Sequence, residues 1–170
     1  RRLRKTVRRQ PYRVSIDTAF TQVLEACADP ARPGHWITEE VALLAQRLHT
    51  AGHAHSVEVW NGDTLVGGLY GTAVGKVFFG ESMFTRADDA GKIAFVHLAA
   101  RLHHGDYALL DIQMASAHMA RFGAGAIAAR ASDAYYSALT TAAGMPAEFG
   151  PAGTDALPPV ATFLCACAGR

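Results

Sequence analysis

An α+β fold is predicted for this 170-residue chain on three observations. Helical periodicity dominates the first fifty or so positions. Strand-like segments separated by turn residues follow, and helix and strand patterns then take turns to the end of the recognisable structure. Half of the residues are hydrophobic and 18% are charged. That balance suits a soluble globule with a real core, and a disordered tail would look different. At this length roughly 70% of the unfolded surface can be buried, so the fold needs no disulfides.

Residues 1–14 mix Arg and Lys with Leu3, Val7 and Tyr12, and a short basic helix is expected to end before Pro11. Asp17 is placed to cap a second helix over 18–28, with Phe20, Val23, Leu24 and Cys27 inward. Pro30, Pro33 and Gly34 make a loop. Thr38 then caps a third helix, with Glu39 and Glu40 in the first turn, where the dipole favours anions. Its expected stripe is Val41, Leu44, Ala45 and Leu48, and Gly52 stops it. Residues 56–60 read as a strand, Asn61-Gly62 as a hairpin turn and 64–70 as the return strand. A further turn is expected from Gly71 to Gly75 and a third strand over 76–79, with a break over 80–86. Residues 88–104 read as a helix burying Ile93, Val96, Leu98 and Leu102. The His103-His104 pair suits its C-terminal end. A buried strand over 107–113, a short helix over 115–122, a strand over 127–130 and a helix over 133–143 complete the pattern.

The formal charge of +1 conceals a split. Arg1, Arg2, Arg4, Lys5, Arg8, Arg9 and Arg13 put seven of the sixteen basic residues in the first thirteen positions. The rest holds nine basic residues against fifteen acids, a net of −6. A cationic arm on a mildly acidic body is the footprint of a polyanion partner; a solvated basic terminus is the plain alternative. Cys27, Cys165 and Cys167 cannot form a disulfide framework, which points to a reducing, cytoplasmic setting. Cys165 and Cys167 lack a second ligand pair, and His53 and His55 beside Glu58 lack a third ligand, so no metal is expected. No apolar run reaches the ~18 residues that span a bilayer, and no apolar stretch follows the basic terminus as in a secretory signal. A first residue of Arg suggests a fragment or a processed chain.

Helices, an antiparallel meander, then helix and strand in alternation is the order of the acyltransferase (GNAT-like) fold, a central mostly antiparallel sheet flanked by helices. Enzymes of that fold that use acetyl-CoA cradle its pyrophosphate on the backbone amides of a Gly-rich turn after the fourth strand. Between Glu81 and Lys92 this chain has one glycine, Gly91, and the acids Asp88 and Asp89 where a phosphate would sit. CoA is therefore not expected.

Four segments resemble the leucyl/phenylalanyl-tRNA–protein transferase family. They are His35-Trp36-Ile37-Thr38; Gly52-His53-Ala54-His55-Ser56-Val57-Glu58-Val59-Trp60 leading to Leu65-Val66-Gly67-Gly68-Leu69-Tyr70-Gly71; Phe79-Gly80-Glu81-Ser82-Met83-Phe84; and Asp111-Ile112-Gln113 with His118 and Phe122-Gly123-Ala124 beyond it. They run in family order over about residues 1–135. The resemblance implies transfer of Leu or Phe (Met also) from its tRNA to the α-amino group of a protein beginning with Arg or Lys, which marks that protein for degradation. Aminoacyl-tRNA is then a substrate, no cofactor or metal is implied, no membrane is involved, and a monomer is expected.

The ester donor is already activated, so the chemistry needs an acceptor for the amine proton, an anion to hold the amine and an apolar slot for the donor side chain. On a strand, Asp111 and Gln113 would share a face. The resemblance implies Gln113 as proton acceptor with Asp111 polarising it, and Glu81 as anchor of the incoming ammonium; Asp111 acting through a water is the alternative. Phe78 and Met83 match positions lining the donor pocket, with Phe95 and Leu110 as neighbours and Leu98 read as ordinary core. Trp36 matches a tryptophan that stacks on the terminal adenosine of tRNA. Arg1, Lys5, Arg8 and Arg9 correspond to a basic cluster on tRNA phosphates.

Three segments are expected. A basic arm over 1–14 is read as the remnant of a linker from a missing N-terminal domain, a catalytic domain covers 15–143, and an Ala/Pro/Gly-rich tail covers 144–170. The family's Asn-x-Ser-Lys is replaced by Asp89-Ala90-Gly91-Lys92, and the Asn before its His by Ser116. These departures keep two other readings open: a shortened relative that donates to a small peptide or amine, and a tRNA-binding module without activity.

Overall fold

The computed structural model describes residues 2–9, 11–113 and 132–153. Its centre is a sheet whose five strands lie side by side in chain order: β1 (Arg13–Ile16), β2 (Ala54–Asn61), β3 (Thr64–Val74), β4 (Val77–Thr85) and β5 (Leu109–Asp111). The first four are antiparallel, and β5 joins β4 in parallel. The helices are α1 (Arg2–Arg9), α2 (Phe20–Cys27), α3 (Glu39–Thr50), α4 (Ala90–His104) and α5 (Ser132–Ala143). The architecture is the α+β one expected.

Both faces of the sheet are covered. Val14, Ile16, Val57, Val59, Val66, Leu69 and Phe78 form one core with Ile93, Val96, Leu98 and Leu102 of α4 and with Val7 of α1. Trp60, Leu65, Tyr70 and Phe84 form a second core with Phe20, Val23, Leu24 and Cys27 of α2 and Ala45 of α3. A sheet covered twice hides the alternation that marks a half-exposed strand, and β2 is buried at six of its eight positions, Ser56 and Glu58 among them.

The strand β1 was not anticipated, and it changes the role of Asp17. Expected as a helix cap, Asp17 instead stands at φ 54 where the chain leaves β1. Its carboxylate accepts from the Ser56 amide at 2.7 Å and pairs with His55 Nδ1 at 2.8 Å. Partners offered by the neighbouring strand displace local capping, and α2 begins at Phe20 without a side-chain cap. The third helix fits its forecast better. The Val41 amide donates to Thr38 Oγ1 at 3.4 Å. Gly52 at φ 79 ends the helix in a Schellman turn, with Gly52 N to His49 O at 2.9 Å and His53 N to Leu48 O at 2.8 Å. Leu44 does not belong to the buried stripe; it is 57% exposed.

The meander runs longer than the glycines suggest. Asn61 pairs with Thr64, so Gly62 and Asp63 make the turn. β3 passes through Gly71 to Val74, and β4 passes through Gly80 to Thr85, so the expected turn and break are both absent. The ladder shifts register between Tyr70 and Gly71, which places Gly71 opposite Gly80. A Cβ at Gly71 would lie 2.2 Å from the Phe79 carbonyl oxygen and 2.4 Å from the Phe78 ring, so glycine serves there as a site of close approach within a strand. The chain turns only at Gly75 and Lys76. Beyond β4, α4 starts at Ala90, two residues later than expected. β5 is three residues long and half-buried, where a longer buried strand was expected.

Residues 145–153 return across the first core. Phe149 is buried, stacks on His55 at 4.0 Å and lies 5.5 Å from the Phe78 ring. Arg101 donates to the carbonyls of Phe149 and Pro151, and the Gly153 amide donates to Ile16 O at 3.0 Å. The expected helix over 115–122, the expected strand over 127–130, Arg1, His118, Cys165 and Cys167 lie outside the described residues.

Candidate active site

The parallel join of β4 to β5 opens the site. Their pairing stops at Phe79 and Asp111. β4 continues to Thr85 on its ladder with β3, whereas β5 ends at Asp111. The gap is a cavity of about 170 Å³. Its apolar wall comes from Leu69 of β3, Met83 of β4, Phe95 and Leu98 of α4, and Leu110 and Ile112 around the end of β5; Tyr70, Gly80, Glu81 and Ser82 complete it. A lining this apolar accepts a hydrocarbon side chain, and the unbranched Met83 can adapt to branched or aromatic shapes.

Met83, Phe95 and Leu110 thus meet as expected, and Leu98 is both core and cavity wall. Phe78 does not join them. It is fully buried in the first core, where its ring lies against Phe149 and Tyr107. Met83 is tied down by its own backbone. Arg32 donates from Nη2 to Met83 O and from Nη1 to Cys27 O, each at 2.6 Å, so one guanidinium joins β4 to the end of α2.

Polar groups gather at the cavity rim. Gln113 Nε2 donates to Glu81 Oε2 at 3.1 Å. The Gln113 backbone amide donates to Asp111 Oδ1 at 2.7 Å. Gln113 itself is left-handed, at φ 60. Asp111 and Gln113 therefore do not share a strand face as their spacing predicted. The strand has ended, and the Asp111 side chain closes an Asx-type turn around residue 113. Asp111 meets the backbone of Gln113 and not its amide group. With its NH₂ engaged by Glu81, the Gln113 amide keeps its carbonyl oxygen as an acceptor with no partner among the described residues.

Two phenols were not foreseen. Tyr135 of α5 donates its hydroxyl to Asp111 Oδ2. That bond, with some burial, pushes the phenol up to about 12. Tyr70 has its hydroxyl buried with no hydrogen-bond partner among the described residues. Burial, and then the neighbouring Cys27 and Glu81, raise its pKa well above the ordinary phenol. Tyr135 could have been singled out only by knowing that α5 returns to β5, which no local pattern states.

The other expected positions are spread over the surface. Trp36 is 49% exposed just before α3, while the adjoining Ile37 is buried. Lys5 and Arg9 are exposed on α1, whose apolar Val7 is buried in the first core. His55 is held by Asp17 and Phe149, and among the described residues no cluster of metal-ligating side chains occurs. At the start of α4, where a phosphate cradle was considered, Lys92 is paired with Asp89 and the Gly91 amide donates to Thr85 Oγ1 at 3.3 Å. No helix among the described residues is long and apolar enough to cross a membrane.

Sheet, cavity and rim together define an α+β protein in which an apolar cavity lies beside a carboxylate–amide cluster. A sequence model of the leucyl/phenylalanyl-tRNA protein transferase family matches residues 1–139. The chain is 52% identical over 151 residues to the leucyl/phenylalanyl-tRNA–protein transferase of Hyphomonas neptunium, covering 88% of this chain and 57% of that one. It is 53% identical over 126 residues to the enzyme of that name from Aromatoleum aromaticum (73% and 53% covered), and 47% identical over 162 residues to that from Rhodopseudomonas palustris (92% and 70% covered). The chain belongs to the leucyl/phenylalanyl-tRNA protein transferase family. It spans between about half and seven-tenths of the length of these curated relatives. Among solved structures, a ribosomal-protein-alanine N-acetyltransferase from Brucella melitensis aligns with a TM-score of 0.48 at 13% identity, over 67% of this chain and 92% of that one, a likeness too slight to build on.

Proposed function

We propose that this chain carries the aminoacyl-transfer centre of its family. Leu or Phe, and by shape Met, passes from the 3′ end of its tRNA to the α-amino group of a protein that begins with Arg or Lys. The observation that carries this reading is the juxtaposition of an apolar cavity with Glu81, Gln113 and Asp111 at its rim. The donor side chain fills the cavity against Met83, Phe95, Leu98 and Leu110. The ester carbonyl then lies at the rim, and the acceptor amine is held at Glu81. The amine nitrogen attacks the carbonyl carbon, the C–N bond forms, and the C–O bond to the terminal ribose breaks. The proton that the amine loses goes to the Gln113 carbonyl or, through a water, to the Asp111 carboxylate, and the ribose hydroxyl leaves protonated. An amide is a weak base, so the carboxylate is the better relay, and in either route the proton is passed on to the departing ribose oxygen.

The tRNA lies along α1 by its phosphates, which supply affinity and position but little sequence information. Trp36 offers an exposed indole face for a terminal base. The product, a protein with a new N-terminal Leu or Phe, is marked for degradation. The reaction takes place in the cytoplasm, where aminoacyl-tRNA is made, and needs neither CoA nor metal.

The test is to incubate the chain with labelled Phe-tRNA and a peptide beginning with Arg. Label moving to that peptide, and not to one beginning with Ala, is expected. Transfer only to non-basic amines would replace the protein acceptor by a small one. Binding of tRNA without any transfer would sink the enzymatic reading.

A further inference from the structure

We infer that Tyr135 is a positioning residue for the transfer reaction, fixing Asp111 and through it the turn that presents Gln113 to Glu81. The inference deepens the reading above and rests on it. Asp111 has both carboxylate oxygens engaged: Oδ1 accepts from the Gln113 backbone at 2.7 Å, and Oδ2 accepts from the Tyr135 hydroxyl. A carboxylate held at one oxygen can rotate about its side-chain torsions; held at both, it has one orientation. The bond from the phenol is charge-assisted and so among the stronger kinds.

What that orientation secures is unusual backbone. Gln113 is left-handed at φ 60, a conformation that a residue with a Cβ adopts only at a cost. The Oδ1 bond offsets the cost, and the turn it closes sends the Gln113 amide to Glu81 at 3.1 Å. Tyr135 thus stands one step behind Asp111, which stands one step behind the rim.

The phenol is itself held from elsewhere. It sits on α5, whose end is fastened to the β3–β4 turn by Lys76 N to Ala142 O at 2.8 Å. A Cβ at Gly75 would lie 2.3 Å from the Ala143 carbonyl, so turn and helix end pack without a gap. Residues 145–153 then seal the same face through Phe149. The neighbouring Tyr136 is 61% exposed and serves as an internal control.

The test uses the full chain in the Phe-tRNA and Arg-peptide assay with three variants. Tyr135→Phe keeps the ring and removes the hydroxyl; kcat is expected to fall about tenfold, with KM for tRNA and peptide and the melting curve unchanged. Tyr136→Phe is expected to behave as the parent. Asp111→Asn separates the two levels of the argument. If it transfers as fast as the parent, the role of Asp111 falls and this inference with it. If it is slow while Tyr135→Phe stays within about twofold of the parent, or loses only in KM, the inference on Tyr135 alone is overturned.

Discussion

Two carboxylate clusters in this molecule use similar chemistry to opposite ends. Glu58 is wholly buried between the sheet and α2, where Ser15 and Ser56 each donate a hydroxyl at 2.5 Å and Thr18 donates its hydroxyl at 2.9 Å and its amide at 3.4 Å. Trp60 Nε1 in turn donates to Ser15 Oγ at 2.8 Å. Glu81, Gln113 and Asp111 form a second set, all open to water to some degree. The closed cluster spends its acceptors on its own hydroxyls, which ties β1, β2 and the start of α2 together. The open cluster keeps acceptor capacity for a ligand. Both lie in segments that resemble the family's motifs, so a motif residue is not by that fact a site residue; burial and leftover hydrogen-bonding capacity distinguish the two.

The comparison breaks most directly at Glu58. Replacement by Ala strands the buried hydroxyls of Ser15 and Ser56, and a loss of about 4 kcal/mol is expected in urea unfolding, with the transfer rate per folded molecule preserved. A stable Glu58→Ala chain that no longer transfers would place Glu58 in the reaction and erase the distinction.

His97 sharpens it from another side, as a buried polar group whose Nδ1 has no hydrogen-bond partner among the described residues. Burial lowers its pKa to about 4. The unfolded chain therefore takes up the proton first as the pH falls. The stability that neutral His97 allows is complete above about pH 6.5 and is lost between there and pH 4, by roughly 3 kcal/mol. Urea titrations at pH 7 and pH 4.5 should show most of that loss, and His97→Leu should flatten it. An unchanged slope in that variant would assign the acid sensitivity elsewhere.

At the open cluster the expected effect is on rate. Asp111→Asn should lower kcat by about a hundredfold and leave the unfolding midpoint in place, the reverse of the Glu58 result. Smaller still is the effect on the exposed arm. Replacing Lys5 and Arg9 together by Ala should weaken tRNA binding a few-fold and reduce the salt slope of the association constant by about 1–2, without altering the choice of donor amino acid. Filter binding across a salt series reads both. A change in donor preference would move the arm into the specificity machinery.

Local signals were legible in the sequence where the controlling interaction is itself local. Thr38 caps α3 through its own first turn, Gly52 stops it, and the apolar stripe of α2 shows its period because the helix packs along one face. Three of the residues named through family resemblance, Met83, Phe95 and Leu110, line one apolar cavity. What required the folded chain was every feature settled between distant segments. Asp17 gave up a cap for His55 and Ser56 because β1 lies against β2. Gly71 and Gly80 stayed within strands because a register shift sets them opposite each other. Phe78 packs in the first core against Phe149, which a later segment brings back to the sheet. Asp111 Oδ2 finds its partner in a tyrosine 24 residues away. Composition and spacing state what each segment prefers; which partner a polar group finds depends on the contacts that only the packed sheet and helices create.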